Sequence, residues 1–527
     1  MNLKNSQKQK IMNFNIKYIA GIGLAAMLSL SGCDKDFEEV NINPNSPEIV
    51  SSSLLLPTII RNTVNEISGQ AWGTGNVVMQ QTAKIQFTNG DRYNWGPESD
   101  PYNTFYNSMR DLSNVITIST ASGQNNYVGI AHVLRASMYS FMSDAYGDLP
   151  YTEATNAKDG VNYPVFDTQE TIYNGILEEL EMANNLLGST TEGVEGDILF
   201  DGDIMRWKKY ANSLRLRILM RLSDRMDPSA DMEAIISNPS QYPIFTSNED
   251  HAALQYLQDV PNQHGLYTTR SGSFDEYRLS EKMEDVLKEL DDPRLYAYAQ
   301  PTNDSGAGVI GTKGDYQGVP NGLADEEALA YSPSGDPAKN GSNFISRVGL
   351  LWSCSACTSL ANPVGAQAIL MSYSELQFIL AEAKEKGYIS AGTAATYYKN
   401  GIESSVLYYK SRYELIGLPQ IADVLVLDDA YFANPEVAYT GSTEEKLSKI
   451  GTQKWLALFF SGMESWYDWR RTDYPEITPG PAAYINSVPV RFMYPTSVQS
   501  QNKENYLNAI GRQGPDAITT HVWWDVD

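Results

Sequence analysis

Apolar residues recur at steps of three and four along much of this 527-residue chain. That spacing gathers them on one face of an α-helix and on no face of a strand. The first long helix is predicted over 128–146, where Ile130, Val133, Leu134, Met138 and Phe141 repeat at helical steps before Gly147-Asp-Leu-Pro150 stops it. A second follows from Thr168, with Ile172, Ile176, Leu180, Ala183 and Leu187 as its stripe, Asp167 or Thr168 as its cap and Gly188 at its end. A third, over 205–225, sets Trp207, Tyr210, Leu214, Ile218 and Leu222 together. Beside them Arg217, Arg221 and Arg225 stand four apart, placed to pair with acids on neighbouring helices. Further helices are predicted over 279–290, 372–386 and 391–412, and a last one from Ser442 or Thr443 to about Trp469.

The fold class is therefore mainly α, with short strands at most. Between residues 227 and 362 the periodicity fades into a stretch rich in glycine and proline. Within it, Gly306-Ala-Gly308-Val-Ile-Gly311 matches a dinucleotide-binding fingerprint in letters only, because Gln300-Pro301-Thr-Asn-Asp-Ser305 stands where a buried strand is required. The pair over 372–386 and 391–412, with Ala381, Ala383, Tyr397, Tyr398 and Ile402, resembles one tetratricopeptide unit.

The N-terminus reads as an address. Lys4, Lys8 and Lys10 precede an apolar stretch from Ile16 to Leu30 that is too short to span a bilayer, and small residues lead to Cys33. Leu30-Ser31-Gly32-Cys33 matches the bacterial lipobox, in which the chain is cut before the cysteine and the sulfur is lipidated. The competing reading is an ordinary cleaved signal with an incidental cysteine. The expected organisation is a signal over 1–32, a lipid-anchored tether over 33–50 that passes through Asn41-Ile-Asn-Pro-Asn-Ser-Pro47, and one helical domain over 51–527. The acidic run Asp34, Asp36, Glu38 and Glu39 resembles a surface-export signal of Gram-negative lipoproteins. The other two cysteines, Cys354 and Cys357, are expected to form a loop-stiffening disulfide in an exported protein.

Charge narrows the function. With 39 Lys and Arg against 64 Asp and Glu the net charge is -25, and removal of the signal deepens it. Such a field repels nucleic acid, and no DNA or RNA partner is expected. The patterns GxxxxGK[ST], GxSxG and HExxH are missing, and His132, His251, His264 and His521 stand far apart, so neither a metal nor a cofactor is implied. A carboxylate pair of the glycoside-hydrolase kind stays open, since 64 acids always supply candidates.

Aromatic residues are the positive signal: 33 Tyr, 15 Phe and 9 Trp. Tyrosine combines a large contact surface with a hydroxyl, which suits polar ring-shaped ligands. Trp207, Trp455, Trp466 and Trp469 lie on helical stripes or helix ends and read as core. Trp95, with Tyr93 and Asn94, falls in the turn-rich segment Asn89-Gly-Asp-Arg-Tyr-Asn-Trp-Gly-Pro97 and is a candidate for display to a ligand, with packing as its competitor. Tyr316 and Trp352 are further candidates, each with a structural role as the alternative.

Taken in order, these segments resemble the SusD/RagB family of surface lipoproteins, and its SusD-like subgroup in particular. The resemblance rests on the lipobox with Asn43-Pro44-Asn45, on Ala145-Tyr-Gly-Asp-Leu-Pro-Tyr-Thr-Glu153 and on Trp207-Lys-Lys-Tyr-Ala-Asn-Ser-Leu-Arg-Leu-Arg217. It continues through Ala381-Glu-Ala383, Gln453-Lys-Trp-Leu-Ala-Leu-Phe459, Glu464-Ser-Trp-Tyr-Asp-Trp-Arg-Arg471, Pro489-Val-Arg-Phe-Met-Tyr-Pro495 and Val522-Trp-Trp-Asp525. It implies a helical body with tetratricopeptide-like pairs on one side and a loop-rich ligand side. It also implies a non-enzymatic protein, held in the outer membrane by its lipid and facing the exterior, that passes oligosaccharide to a SusC-like TonB-dependent transporter. A peptide-binding member of the same architecture, a surface glycoside hydrolase and a lid without a ligand are the competing functions. Cys354 and Cys357 have no counterpart in the family pattern.

Overall fold

The computed structural model describes residues 50–331 and 344–526. The signal, Cys33 and nearly all of the tether lie outside them. From Ser51 onward the chain forms one compact unit.

Helices of nine or more residues are numbered in chain order. α1 (Ser52–Gln70) and α2 (Asp100–Ala121) pack together, and α2 leads into α3 (Asn125–Tyr146). Two long helices thus precede the one expected to be first. α2 begins with Pro101 in its first turn, where the missing N–H costs nothing, and buries Phe105, Met109, Leu112 and Val115. α3 is buried on all sides, against α2 on one flank and α4 (Gln169–Leu186) on the other. α5 (Ile204–Arg221) packs on α4 and carries α6 (Ser229–Ser237) behind it.

The middle of the chain holds short strands. β1 (Thr82–Lys84) pairs antiparallel with β3 (Tyr277–Leu279), and β2 (Ala252–Gln255) pairs antiparallel with β4 (Gln367–Met371) across a bulge at Ala252/Ala253. Leu279, predicted to start a helix, ends β3 instead. Ser280 then caps α7 (Glu281–Glu289), its Oγ accepting the Met283 N–H at 2.9 Å. The glycine-rich 306–311 segment lies between two short 3₁₀ turns with neither strand nor helix beside it.

α8 (Tyr373–Glu385) and α9 (Ala394–Leu415) form the predicted helix pair, capped by Ser372 and Thr393. Their close approach depends on Gly401, where an added Cβ would lie 2.7 Å from the Phe378 ring. The predicted last helix divides into α10 (Thr443–Ala457) and α11 (Glu464–Thr472), and α12 (Lys503–Gln513) follows near the C-terminus. The break is a turn in which Phe460 and Gly462 adopt positive φ, and a Cβ on Gly462 would meet Ile67 at 2.7 Å.

Charges are buried inside this helical body. Arg217 donates to Glu375 at 2.6 Å and to the Leu370 carbonyl at 2.9 Å, while Arg221 pairs with Glu464 and stands 3.5 Å from Asp144. Arg471 grips Glu382, and Lys454 reaches Asp468 at 2.7 Å. The arginine row on α5 therefore pairs with acids as expected at its first two positions. At the third, Arg225 donates to the Trp523 carbonyl and covers the Trp523 ring instead.

Candidate functional site

A cavity of about 560 Å³ is lined by four aromatic rings, Trp72, Tyr256, Trp352 and Phe460. One wall comes from α1, which runs without interruption into a π-helical turn, Ala71–Gly75. The extra residue in each turn of a π-helix rotates the side chains beyond it, and here it presents Trp72 to the cavity. A Cβ on Gly75 would lie 2.3 Å from the Gly462 carbonyl oxygen, so only glycine lets this turn rest on the backbone between α10 and α11. That contact brings Phe460 beside Trp72.

The ring geometry is well defined. Trp352 stacks on Phe460 at 4.4 Å with 10° between planes, and Phe460 lies 5.8 Å from Trp72 at 28°. Trp72 is held from behind by Tyr277 at 4.3 Å and Phe274 at 5.3 Å, and remains half-buried. Phe460 thus bridges two indoles that are 280 positions apart in sequence.

Polar groups complete the walls: Asn65, Ser68, Gln263, His264, Thr268 and Gln367. Tyr256 donates to Ser68 Oγ at 3.1 Å. His264 is buried, its Nε2 finds no partner, and desolvation pushes its pKa down to about 4, so the imidazole is neutral at physiological pH. None of the described lining residues is a carboxylate or a cation. Such a site can hold an uncharged polar ring against aromatic faces, but it lacks the acid and base pair that glycoside hydrolysis requires. A wider groove of about 750 Å³ between α4 and α5 is lined by Leu177, Met182, Leu186 and Leu219 and contains no aromatic ring.

The predicted site residues are dispersed. Trp352 reaches the aromatic cavity, although only 6% of its surface is exposed. Tyr316, 1% exposed, is buried edge-on against Tyr296 and accepts the Gly311 N–H with its hydroxyl. Tyr93, 2% exposed, is buried with positive φ in the 89–97 loop. Neither ring can present a face to a ligand, because both loops fold back over the core. Asn94 is exposed. Trp95 is half-buried: its Nε1 donates to the Gly90 carbonyl at 2.9 Å and its ring meets Trp466 and Phe492 edge-on at 5.9 and 5.6 Å. It lines a separate cavity of about 230 Å³ shared with Gly73 and Thr74 of the same π-helical turn. Cys354 and Cys357 are joined by a disulfide just beyond Trp352. Among the described residues no three His, Cys, Asp or Glu side chains gather to hold a metal, and no helix is long and apolar enough to cross a membrane. Trp72 and Phe460, the centre of the site, carry no mark in the sequence because helical continuity on either side hides the local irregularities that bring them to the cavity wall.

Known proteins share this architecture. A family model for SusD-like proteins, described as starch-binding and associating with the outer membrane, matches residues 44–495. A SusD homologue from Bacteroides fragilis superposes with a TM-score of 0.76 at 27% identity, covering 90% of this chain and 99% of its own. A second B. fragilis SusD homologue gives 0.76 at 26% identity, covering 90% and 100%. A solved structure named as a chitin-binding protein gives 0.73 at 26% identity, again covering 90% and 100%. No curated protein matches the chain.

Proposed function

The chain belongs to the SusD-like family of outer-membrane proteins, and from that premise we propose that it binds oligosaccharides at the cell surface, without catalysis, and passes them to a partner SusC-like TonB-dependent transporter. The observation that carries the reading is the aromatic cavity, in which Trp72 and Trp352 are bridged by Phe460 and the described wall residues include no charged side chain. Aromatic faces take up the apolar C–H faces of sugar rings, while amides and hydroxyls at the rim take ring hydroxyls. The exposed part of Trp95, in a cavity shared with the same π-helical turn, extends the proposed surface, and Asn94 is exposed next to it in sequence. In this reading Cys33 carries the lipid that holds the protein on the outer face of the outer membrane. A chitin-binding structural neighbour makes N-acetylglucosamine oligomers the first ligand to try.

The test is calorimetric titration of the soluble body, begun after Cys33, with chito-, malto- and cello-oligosaccharides and with short peptides, followed by product analysis. Heat from one glycan class with the ligand recovered intact is expected. Heat from peptides alone establishes the peptide-binding alternative, and sustained release of shorter glycans establishes a hydrolase. Copurification from detergent-solubilised outer membranes tests the transporter partner, and mass spectrometry of the mature N-terminus tests the lipid on Cys33.

A further inference from the structure

A second cavity, of about 580 Å³, lies across the β2–β4 ribbon from the aromatic one, and Gln367 of β4 lines both. Its chemistry is opposite. In this acidic chain buried guanidiniums are matched with carboxylates, Arg217 with Glu375, Arg278 with Asp275, Arg294 with Asp292, Arg471 with Glu382 and Arg491 with Asp516, while Arg470 donates to the Val490 and Asp144 carbonyls with the Asp525 and Asp144 charges acting on it. Arg412, on the wall of the second cavity, is only 9% exposed, and among the described residues it has no carboxylate partner. Its Nε donates to the Gly365 carbonyl at 2.8 Å and its Nη2 to Gln255 Oε1 at 2.8 Å and to the Val364 carbonyl, all neutral acceptors. Burial lowers its pKa from the usual arginine range.

Arg206, half-buried, lies on the same wall. It lacks a carboxylate partner among the described residues, covers the Phe200 ring at 4.4 Å, donates to the His251 carbonyl at 3.3 Å and buries an Nε with no acceptor. His251 is buried on the same wall. Asn248 donates its amide N–H to the Ser404 carbonyl at 2.9 Å, which leaves its Oδ1 to accept from His251 Nε2 at 2.9 Å. The ring is therefore the tautomer with a bare Nδ1, and that nitrogen is buried without a partner. The carboxylate on the cavity wall is Glu249, which is exposed, while nearby Asp250 is taken up by Lys209 at 2.8 Å. Tyr373 and Tyr408 supply ring surface, and Ser411 a hydroxyl.

We propose that this cavity is a subsite for a carboxylate-bearing sugar, a uronic acid residue, with Arg206 and Arg412 facing the carboxylate. Two guanidiniums without anions match one planar carboxylate, and the tyrosine rings match a pyranose. That a sugar carries the carboxylate rests on the function proposed above.

The probe is trigalacturonate, titrated into the soluble body, with maltotriose, an acidic tripeptide and inorganic phosphate as comparisons. Trigalacturonate is expected to bind, to weaken with added salt, and to lose at least about tenfold in affinity in Arg206→Gln and in Arg412→Gln. Met182→Ala, at an exposed position of α4 outside both cavities, is expected to leave that binding within a factor of two. Because Arg412 also holds the 364–365 backbone, Arg206→Gln decides the question if Arg412→Gln fails to fold. No trigalacturonate binding, binding unchanged in the arginine variants, or equal loss in Met182→Ala overturns the subsite. Arginine-dependent binding of phosphate or of the tripeptide in place of trigalacturonate overturns it as well. Neutral glycans bound through Trp72 while trigalacturonate stays silent overturn the subsite alone and leave the proposed function standing.

Discussion

Trp72→Ala probes the aromatic cavity where it is most specific. One face of an indole that is half-buried in the free protein offers about 60–80 Å² to a sugar ring, worth ~1.5–2 kcal/mol at ~25 cal/mol per Å². The affinity for the glycan identified by titration should fall about 12- to 30-fold. The same ring also packs on Tyr277, Phe274 and Phe460, and each aromatic contact contributes about 0.5–1.5 kcal/mol. The variant must therefore lose stability too, which separates two effects that a single number would mix. Trp72→Phe keeps the packing and part of the platform, so its melting temperature should stay near that of the wild type while its affinity falls by a smaller factor. The assay is calorimetry at 25 °C, well below the transition seen by circular dichroism for each variant. An affinity unchanged within twofold in a folded Trp72→Ala protein would refute the assignment of this cavity as the glycan site.

Other outcomes arise from the packing and the buried charges. Trp95→Ala should cost about 2–3 kcal/mol in denaturant unfolding, because the ring loses Trp466 and Phe492; an unchanged transition would show that its packing is incidental. Gly401→Val should destabilise by about 2 kcal/mol through its clash with Phe378, whereas Gly69→Ala, with open space around the new Cβ, should stabilise by up to ~1 kcal/mol; the same sign for both would contradict the packing described. Burial pushes the Glu382 carboxyl up, but the Arg471 fork and Lys386 overcome this and hold it well below the ordinary glutamate range. Its contribution is then present above pH 4.5 and lost as pH falls below that value. Glu382→Gln should cost about 3–5 kcal/mol at pH 7, by leaving Arg471 buried without its main partner, and should flatten the acid limb of the stability profile; an acid limb as steep as the wild type's would exclude this carboxylate as a cause.

The helical body was legible where a polar cap precedes an apolar stripe, as at Thr168 before Ile172 and Ile176, and at Ser372 before Leu376 and Ile379. α1 carries the same kind of signal in Leu56, Ile60, Val64 and Ile67, but Pro57 and its serines and asparagines mask it. The division at 458–463 was not legible, since Leu458, Phe459 and Met463 continue the helical spacing while the turn is imposed by contact with Ile67 and Gly75. The site was legible at Trp352 alone. A tyrosine in a loop reads as displayed, yet Tyr93 and Tyr316 are covered by loops that pack back on the core, a long-range outcome with no local mark. Trp72 was hidden for the converse reason, being exposed by a π-helical turn inside an otherwise continuous helix.

The partners in the buried core are remote along the chain, and this sets the order in which the molecule can close. Arg221 waits for Glu464, 243 residues later; Arg470 donates to the Asp144 carbonyl across 326 positions, and the Trp455 indole to the Met79 carbonyl across 376. Until residue 464 has been synthesised, Arg221 lacks its nearest carboxylate and has Asp144 as its remaining acid, and until 455–470 are present the Met79 and Asp144 carbonyls lack these donors. A fragment ending before α10 therefore lacks the groups that close the buried core and is no smaller version of the protein.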